Sequence, residues 1–297
     1  VSDAWNSLQP DEPIGVVALS GPVDEAKLEA GLEVLRSWGN PIVEASNLRR
    51  EELYLAGRDD ERVAGVEEVL DAGTRWILAA RGGYGAARIL EAMPWERLRS
   101  CEARFIGFSD LTAILNPLAS DGGAVQIHGP MVAAGLTGRH NGDRLHALLR
   151  GELIGETLFR FPQSSIVRAG RAEGRAIGGN LTLLTSLLGT PWEPDFDGGI
   201  LFLEEVEEPL YRLDRMLTHL RSSGKLQKVK ALIGGSLRGC RPASARSEIW
   251  RSLLIETAPP GVPIVIGLPF GHGATNMAFP IGGPVTLDTR AQGVRWS

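Results

Sequence analysis

Short apolar runs and amphipathic stretches alternate along the first half of this chain. Residues 14–19, Ile-Gly-Val-Val-Ala-Leu, are uninterrupted and rich in β-branched side chains, the pattern of a strand buried on both faces. Ser20-Gly-Pro22 breaks the run. Asp24 then stands where a helix N-cap is wanted, ahead of Leu28, Leu32 and Leu35 on one face. A short strand at 41–43 follows, then a helix from about Asp60 with Val63, Val66, Val69 and Leu70 inward, then a third strand at 76–80. Residues 105–108 and 124–127 supply two further apolar runs. Strands alternating with helices predict a doubly wound, flavodoxin-like parallel sheet with helices on both faces.

The second half reads differently. A helix is expected over 139–149, and 151–174 shows little periodicity. That stretch is taken as a linker between an N-terminal domain, 1–150, and a C-terminal domain, 175–297. Ala176-Ile-Gly-Gly-Asn180 is expected to open a helix carrying Leu181, Leu184 and Leu187 or Leu188. A strand at 199–203 runs into Glu204-Glu-Val-Glu-Glu208, and a helix with Leu210, Leu213, Leu217 and Leu220 inward comes next. Strands at 231–233 and 262–266 flank a helix at 247–257, and 285–288 with 294–296 read as a closing hairpin. The expected class is α/β, with a smaller mixed sheet in the C-terminal domain.

Composition narrows the function. The chain has 297 residues, 43% hydrophobic and 23% charged, as in a globular protein of two ordinary domains. It has no apolar run long enough to span a bilayer, and no membrane partner is expected. A net charge of −5 argues against a nucleic-acid partner. Two cysteines are too few for a disulfide framework or a cysteine metal site. The first residues lack a signal-peptide pattern, so a reducing cytoplasm is the expected location.

Two turns carry candidate chemistry. Arg81-Gly-Gly-Tyr-Gly85 follows the third strand, with three glycines in four positions. Such a turn brings backbone close to a ligand, and N–H groups at a following helix start would hold an anion or oxyanion. It lacks the ending of a Walker loop and the spacing of a dinucleotide fingerprint. The second turn is Gly107-Phe-Ser-Asp110. A serine between a buried strand and a helix is either a nucleophile with an exposed hydroxyl or an N-cap. Both turns fall at strand carboxyl ends, where open α/β sheets bind ligands.

A serine nucleophile needs a base and a group that orients the base. His128 ends the strand after the serine strand, whereas His272 sits in a glycine-flanked loop of the other half. Spacing does not choose between them. Glu204 is the first polar residue after a buried strand, which suits a carboxylate held partly out of water, but other carboxylates are open too. No His-x-x-x-His or carboxylate–histidine cluster suggests a metal.

Seven short motifs occur in order: Arg81-Gly-Gly-Tyr-Gly, Gly107-Phe-Ser-Asp110, His128-Gly-Pro-Met131, Gly178-Gly-Asn-Leu-Thr182, Leu203-Glu-Glu205, Tyr211-Arg-Leu-Asp-Arg215 and Gly271-His-Gly-Ala-Thr-Asn276. The ordered set, spanning about 14–281, resembles the LD-carboxypeptidase family of serine peptidases. That family includes muropeptide LD-carboxypeptidases and microcin C immunity peptidases. The resemblance implies a Ser–Glu–His triad across two domains, with Ser109 as nucleophile, Glu204 as acid and His272 as base. It implies an oxyanion hole from the N–H of Asp110 and of Gly82, with Gly83 the near alternative. Arg81, Gly83 and Tyr84 are the substrate-contacting candidates, Arg81 for a substrate carboxylate. A swivelling β/β/α second domain, a homodimer and no metal or organic cofactor are implied. The expected reaction removes D-alanine from a murein tetrapeptide during wall recycling. The alternative is cleavage of an aminoacyl-nucleotide amide or acyl-sulfamide, with Trp192 as a possible stacking platform.

Overall fold

The computed structural model describes residues 5–120 and 122–297. In chain order the first half contains β1 (Ile14–Val17), α1 (Glu25–Ser37), β2 (Ile42–Glu44), α2 (Asp59–Asp71), β3 (Trp76–Ala79), α3 (Trp95–Ser100), β4 (Arg104–Gly107), α4 (Thr112–Ala119), β5 (Gln126–His128) and α5 (Asn141–Leu149). The second half contains β6 (Thr157–Arg160), β7 (Ile166–Arg168), β8 (Arg171–Asn180), α6 (Leu181–Ser186), β9 (Ile200–Val206), α7 (Leu210–Ser222), β10 (Ala231–Arg238), α8 (Arg246–Thr257), β11 (Ile264–Val265), β12 (Phe279–Ile281), β13 (Pro284–Asp288) and β14 (Gly293–Trp296).

Six strands form the first sheet in the order β12-β5-β4-β3-β1-β2. Its five N-terminal strands are parallel. β1, β3 and β4 are buried along their whole length, β4 including Arg104 at its start. The Asp24 side chain accepts from Lys27 N at 2.9 Å and so starts α1, satisfying one orphan donor of that helix. The sixth strand, β12, arrives from the C-terminal half and pairs antiparallel with β5, placing Phe279 opposite His128. Both halves of the chain therefore build this sheet.

Eight strands form the second sheet in the order β6-β14-β13-β8-β9-β10-β11-β7. Its centre, β8 to β11, is parallel, and antiparallel strands extend both sides. Leu210, Leu213, Leu217 and Leu220 of α7 are buried, as their helical spacing requires.

Several stretches differ from the sequence reading. The irregular segment 151–174 contributes β6, β7 and the start of β8. Residues 176–180 end a ten-residue strand, and the helix begins only at Leu181, where Asn180 caps it by accepting from Leu183 N at 3.1 Å. After the glycine turn, Ala86–Ala92 is a 3₁₀ segment rather than an α-helix. β9 runs on into the acidic stretch beyond residue 203 and carries Glu204 and Glu205 inside the sheet.

Asn116 and Thr112 of α4 join the two halves beside the site. Asn116 on α4 donates from Nδ2 to Gly178 O at 2.9 Å, and its Oδ1 accepts from Gly178 N at 2.9 Å. Thr112 Oγ1 accepts from Asn180 N at 3.0 Å. The side-chain amide thus completes a strand peptide that has no neighbour on that side. A Cβ on Gly179 would lie 2.6 Å from Thr112 Oγ1, and its φ is +129°, so only glycine fits there. Asn116→Ala would leave both polar groups of Gly178 buried and unpaired. The expected loss is about 3 kcal/mol, read as a lowered urea midpoint; a midpoint equal to wild type would show that the contact does not hold the halves together.

Candidate active site

The turn after β4 places Ser109 in an unusual conformation. Phe108 is extended, and Ser109 has φ of +61°, in the left-handed region. The chain then makes a 3₁₀ turn, Ser109–Leu111, and continues as α4. Two glycines make room for this elbow. A Cβ on Gly107 would lie 2.9 Å from Leu111 Cγ, and one on Gly82 would lie 3.0 Å from Ser109 Cβ. The serine is not the helix cap: the 3₁₀ turn is capped by Phe108 and α4 by Leu111, neither with a side-chain capping bond. Its hydroxyl faces another partner.

That partner is His272, whose Nε2 lies 3.0 Å from Ser109 Oγ. Its Nδ1 lies 2.7 Å from Glu204 Oε2. An ionised carboxylate only accepts, so Nδ1 carries the proton and the Nε2 lone pair faces the serine hydroxyl. The same Oε2 accepts from His272 N at 3.3 Å, and Asn180 Nδ2 approaches Glu204 Oε1 at 3.4 Å. Glu204 is wholly buried. Gly271 lies directly on this carboxylate, since a Cβ there would sit 2.5 Å from Glu204 Oε2. The His272 loop is anchored, with Gly271 N donating to Asn276 Oδ1 at 2.8 Å and Ser236 N to Phe270 O at 3.0 Å.

His128 makes no such connection. It is wholly buried, neither ring nitrogen has a hydrogen-bond partner, and its ring stacks on Phe279 with centroids 4.6 Å apart. Burial, with a smaller contribution from nearby His272, pushes its pKa down to about 3. It behaves as a neutral aromatic ring behind the site.

The glycine turn sits against Ser109. Gly82 O accepts from Gly21 N at 3.2 Å, and Gly83 has φ of +120°. Arg81 holds the turn to the neighbouring loop, donating from Nη1 to Pro22 O at 2.8 Å and from Nε to Gly82 O at 3.2 Å. Tyr84 is exposed, 5.9 Å from the ring of Tyr54. Asp110 lies in the 3₁₀ turn that leads into α4, where the first N–H groups lack intrahelical acceptors. Its side chain is buried: Oδ2 accepts from Ser20 Oγ at 2.6 Å and Ala86 N at 2.7 Å, while burial raises its pKa. Trp192 packs against the core.

Four residues were missed from sequence. Glu205 is nearly inaccessible; it accepts from Thr182 N and Oγ1, each at 2.8 Å, and from Asn180 Nδ2 at 2.9 Å. Its burial raises the carboxyl pKa. The signal for Asn180 and Thr182 was their place in Gly178-Gly-Asn-Leu-Thr182. Arg62 is the fourth, and its signal was a charged residue one turn before Val66 on the inward face of α2. Among the described residues no group of three or more His, Cys, Asp or Glu side chains could hold a metal ion. No described helix is long and apolar enough to cross a membrane.

Fold and site together define a two-domain α/β peptidase with a serine, an imidazole and a carboxylate in one hydrogen-bonded chain. Residues 14–129 match the family model for the LD-carboxypeptidase N-terminal domain, and 173–287 that for the C-terminal domain. The chain belongs to the LD-carboxypeptidase family. It is 40% identical over 290 residues to a putative carboxypeptidase of Streptomyces coelicolor, covering 95% of this chain and 92% of that one. It is 32% identical over 299 residues to the murein tetrapeptide carboxypeptidase of Pseudomonas aeruginosa, covering 96% and 95%. The fold matches that of the microcin self-immunity protein MccF of Escherichia coli, solved with glutamyl sulfamoyl guanosine, at a TM-score of 0.87, 22% identity and coverage of 98% and 97%.

The buried state of His128 makes a pH prediction. The unfolded chain binds a proton at this residue below about pH 6.5, whereas the folded state resists it down to about 3. This contribution to stability is complete above pH 6.5 and is lost as pH falls from there towards 3, by at most about 1.4 kcal/mol per pH unit. His128→Phe should flatten the acid dependence of the urea midpoint between pH 6.5 and 4. An unchanged slope would mean that His128 is protonated within the fold.

Proposed function

We propose that this protein is a serine LD-carboxypeptidase that hydrolyses the L,D-peptide bond to the terminal D-alanine of a murein tetrapeptide. The observation that carries the reading is the Ser109–His272–Glu204 hydrogen-bond chain, built on a serine with left-handed φ. The similarity to the murein tetrapeptide carboxypeptidase supports the substrate class. In this reading the protein works in the cytoplasm during wall recycling, as a homodimer.

His272 takes the Ser109 proton as Oγ attacks the carbonyl carbon of the penultimate residue. The carbonyl oxygen becomes an oxyanion, which the N–H of Asp110 and of Gly82 stabilise. Each such donor typically contributes a rate factor on the order of a hundred or more. The C–N bond breaks as His272 protonates the departing amine of D-alanine. Water then attacks the acyl-enzyme, with the same imidazole as base. Glu204 fixes the tautomer and stabilises the imidazolium. Arg81 remains the candidate for the substrate carboxylate through its remaining donor capacity, and Gly83 and Tyr84 border the substrate.

A fluorophosphonate probe with the tagged residue mapped tests the nucleophile, and release of D-alanine tests the reaction. Ser109 should be the labelled serine, and Ser109→Ala and His272→Ala should each lower kcat by about 10³-fold or more. His128→Ala should retain turnover. Label on another serine, or full turnover by His272→Ala, would overturn the mechanism. The competing reading, cleavage of an aminoacyl-nucleotide amide or acyl-sulfamide, rests on the likeness to MccF. It would replace ours if an aminoacyl sulfamoyl nucleoside were hydrolysed and the tetrapeptide were not.

A further inference from the structure

Arg62 is an arginine with a wholly inaccessible side chain, in the first turn of α2. Burying a guanidinium is costly unless its donors are satisfied. Here the two terminal nitrogens reach two loops far apart in sequence, while Nε has no hydrogen-bond partner. Nη1 donates to Leu19 O, at the end of the loop entry from β1, and to Gly85 O at 2.9 Å. Nη2 pairs with Asp59 Oδ1 at 2.5 Å. A second buried charge grips the same two loops from the other side, because Asp110 Oδ2 accepts from Ser20 Oγ and from Ala86 N.

The pattern is reciprocal. The Gly85–Ala86 peptide has its carbonyl on the guanidinium and its N–H on the carboxylate. Leu19 and Ser20 are divided between the same two charges. The loops also bond to each other through Gly21 N and Gly82 O. Gly85 itself is shaped by the arginine: a Cβ there would lie 2.7 Å from Arg62 Nη1, and its φ is +135°. The other end of the turn is Gly82, whose Cα faces Ser109.

We propose that Arg62 is a positioning residue that fixes the Gly82 turn against Ser109, clamping it together with the Asp110 carboxylate. This deepens the function proposed above and rests on it. Arg62 touches no reacting atom and acts through Gly85 and the turn. Its planar fork matches two carbonyls and a carboxylate at once, which a lysine ammonium on a flexible stem does not reproduce. A turn displaced by a fraction of an ångström weakens a donor that counts only when the oxyanion forms. The loss should therefore fall on the transition state and spare ground-state binding.

The test compares wild type with Arg62→Lys, first by thermal melting and then by kinetics. The readouts are kcat and KM for the tetrapeptide, affinity for a peptide boronic acid that mimics the tetrahedral state, and affinity for the tripeptide product. The clamp predicts a kcat lower by about tenfold to a hundredfold, a parallel loss of boronic-acid affinity, and KM and product affinity within about threefold of wild type. Unchanged kcat in a folded Arg62→Lys protein would overturn the proposal. So would product affinity falling as far as boronic-acid affinity, because that pattern means general damage to the site. If Arg62→Lys does not fold, Ser20→Ala removes one hydroxyl from the other arm of the clamp. It should lower kcat about threefold to tenfold at constant KM, and unchanged kcat would overturn the proposal. A wild-type protein that releases no D-alanine would instead refute the function, before any variant is read.

Discussion

The structure depends on a side-chain amide acting as a strand. Asn116 reads the Gly178 residue through both its donor and its acceptor; glycine at 179 lets β8 lie against Thr112 of α4, and glycine at 178 lets it lie against the Phe202 backbone of β9. The helix that begins under Ser109 is thereby locked to the strand that ends at Asn180. Asn180 is in register with Glu204 across the β8–β9 ladder. The distance between hydroxyl and carboxylate is therefore set by one helix, one strand pair and one contact, all rigid elements. This is how a site drawn from residues far apart in sequence keeps ångström-level geometry. The anchored His272 loop then needs only to place an imidazole between two points already fixed.

Three buried carboxylates surround this contact, and each is kept by a different means. Glu204 has the imidazole and the His272 N–H. Glu205 has Thr182, Asn180 and its following backbone N–H. Asp110 has Ser20 and the Ala86 N–H. Adjacent strand residues point to opposite faces, so Glu204 and Glu205 serve different neighbours although they share Asn180. Glu205 ties the strand end to the start of α6, while Glu204 alone reaches the histidine. The cost of burying each charge is offset by hydrogen bonds to otherwise orphaned donors, which gives these residues a role in specifying the local backbone.

The buried strands were legible because nothing interrupts their apolar runs, as in 14–17 and 105–107. Strands near 151–174 were not, because β6 and β7 have only four and three residues and β8 starts with an exposed arginine. Strands this short leave no period to read. The joining of Phe279–Ile281 to the first sheet is a long-range pairing that local pattern cannot encode. At the site, residues alone left His128 and His272 open, and it was the resemblance that favoured one of them. The chemistry that separates them, two unpartnered ring nitrogens in one and two partnered in the other, is a property of packing. Arg62 was overlooked because a charge in a polar-looking helix start reads as surface. Its helical phase with Val66 and Val69 carried the information.

The aromatic layer behind His272 completes the electrostatic argument. Phe108 packs edge-on to its ring at 4.9 Å, and His128, Phe270 and Phe279 continue the layer. An apolar wall on one side lowers the local dielectric, so the Glu204–imidazolium attraction is stronger there than in water. A wall containing a chargeable histidine would weaken that effect if it ionised, because two imidazoliums would then repel. Burial prevents this by holding His128 neutral. The same packing that removes His128 as a rival base therefore improves the environment of the residue proposed to act as one. A phenylalanine would serve the wall equally well in electrostatic terms, so the histidine's nitrogens need no role in the proposed chemistry.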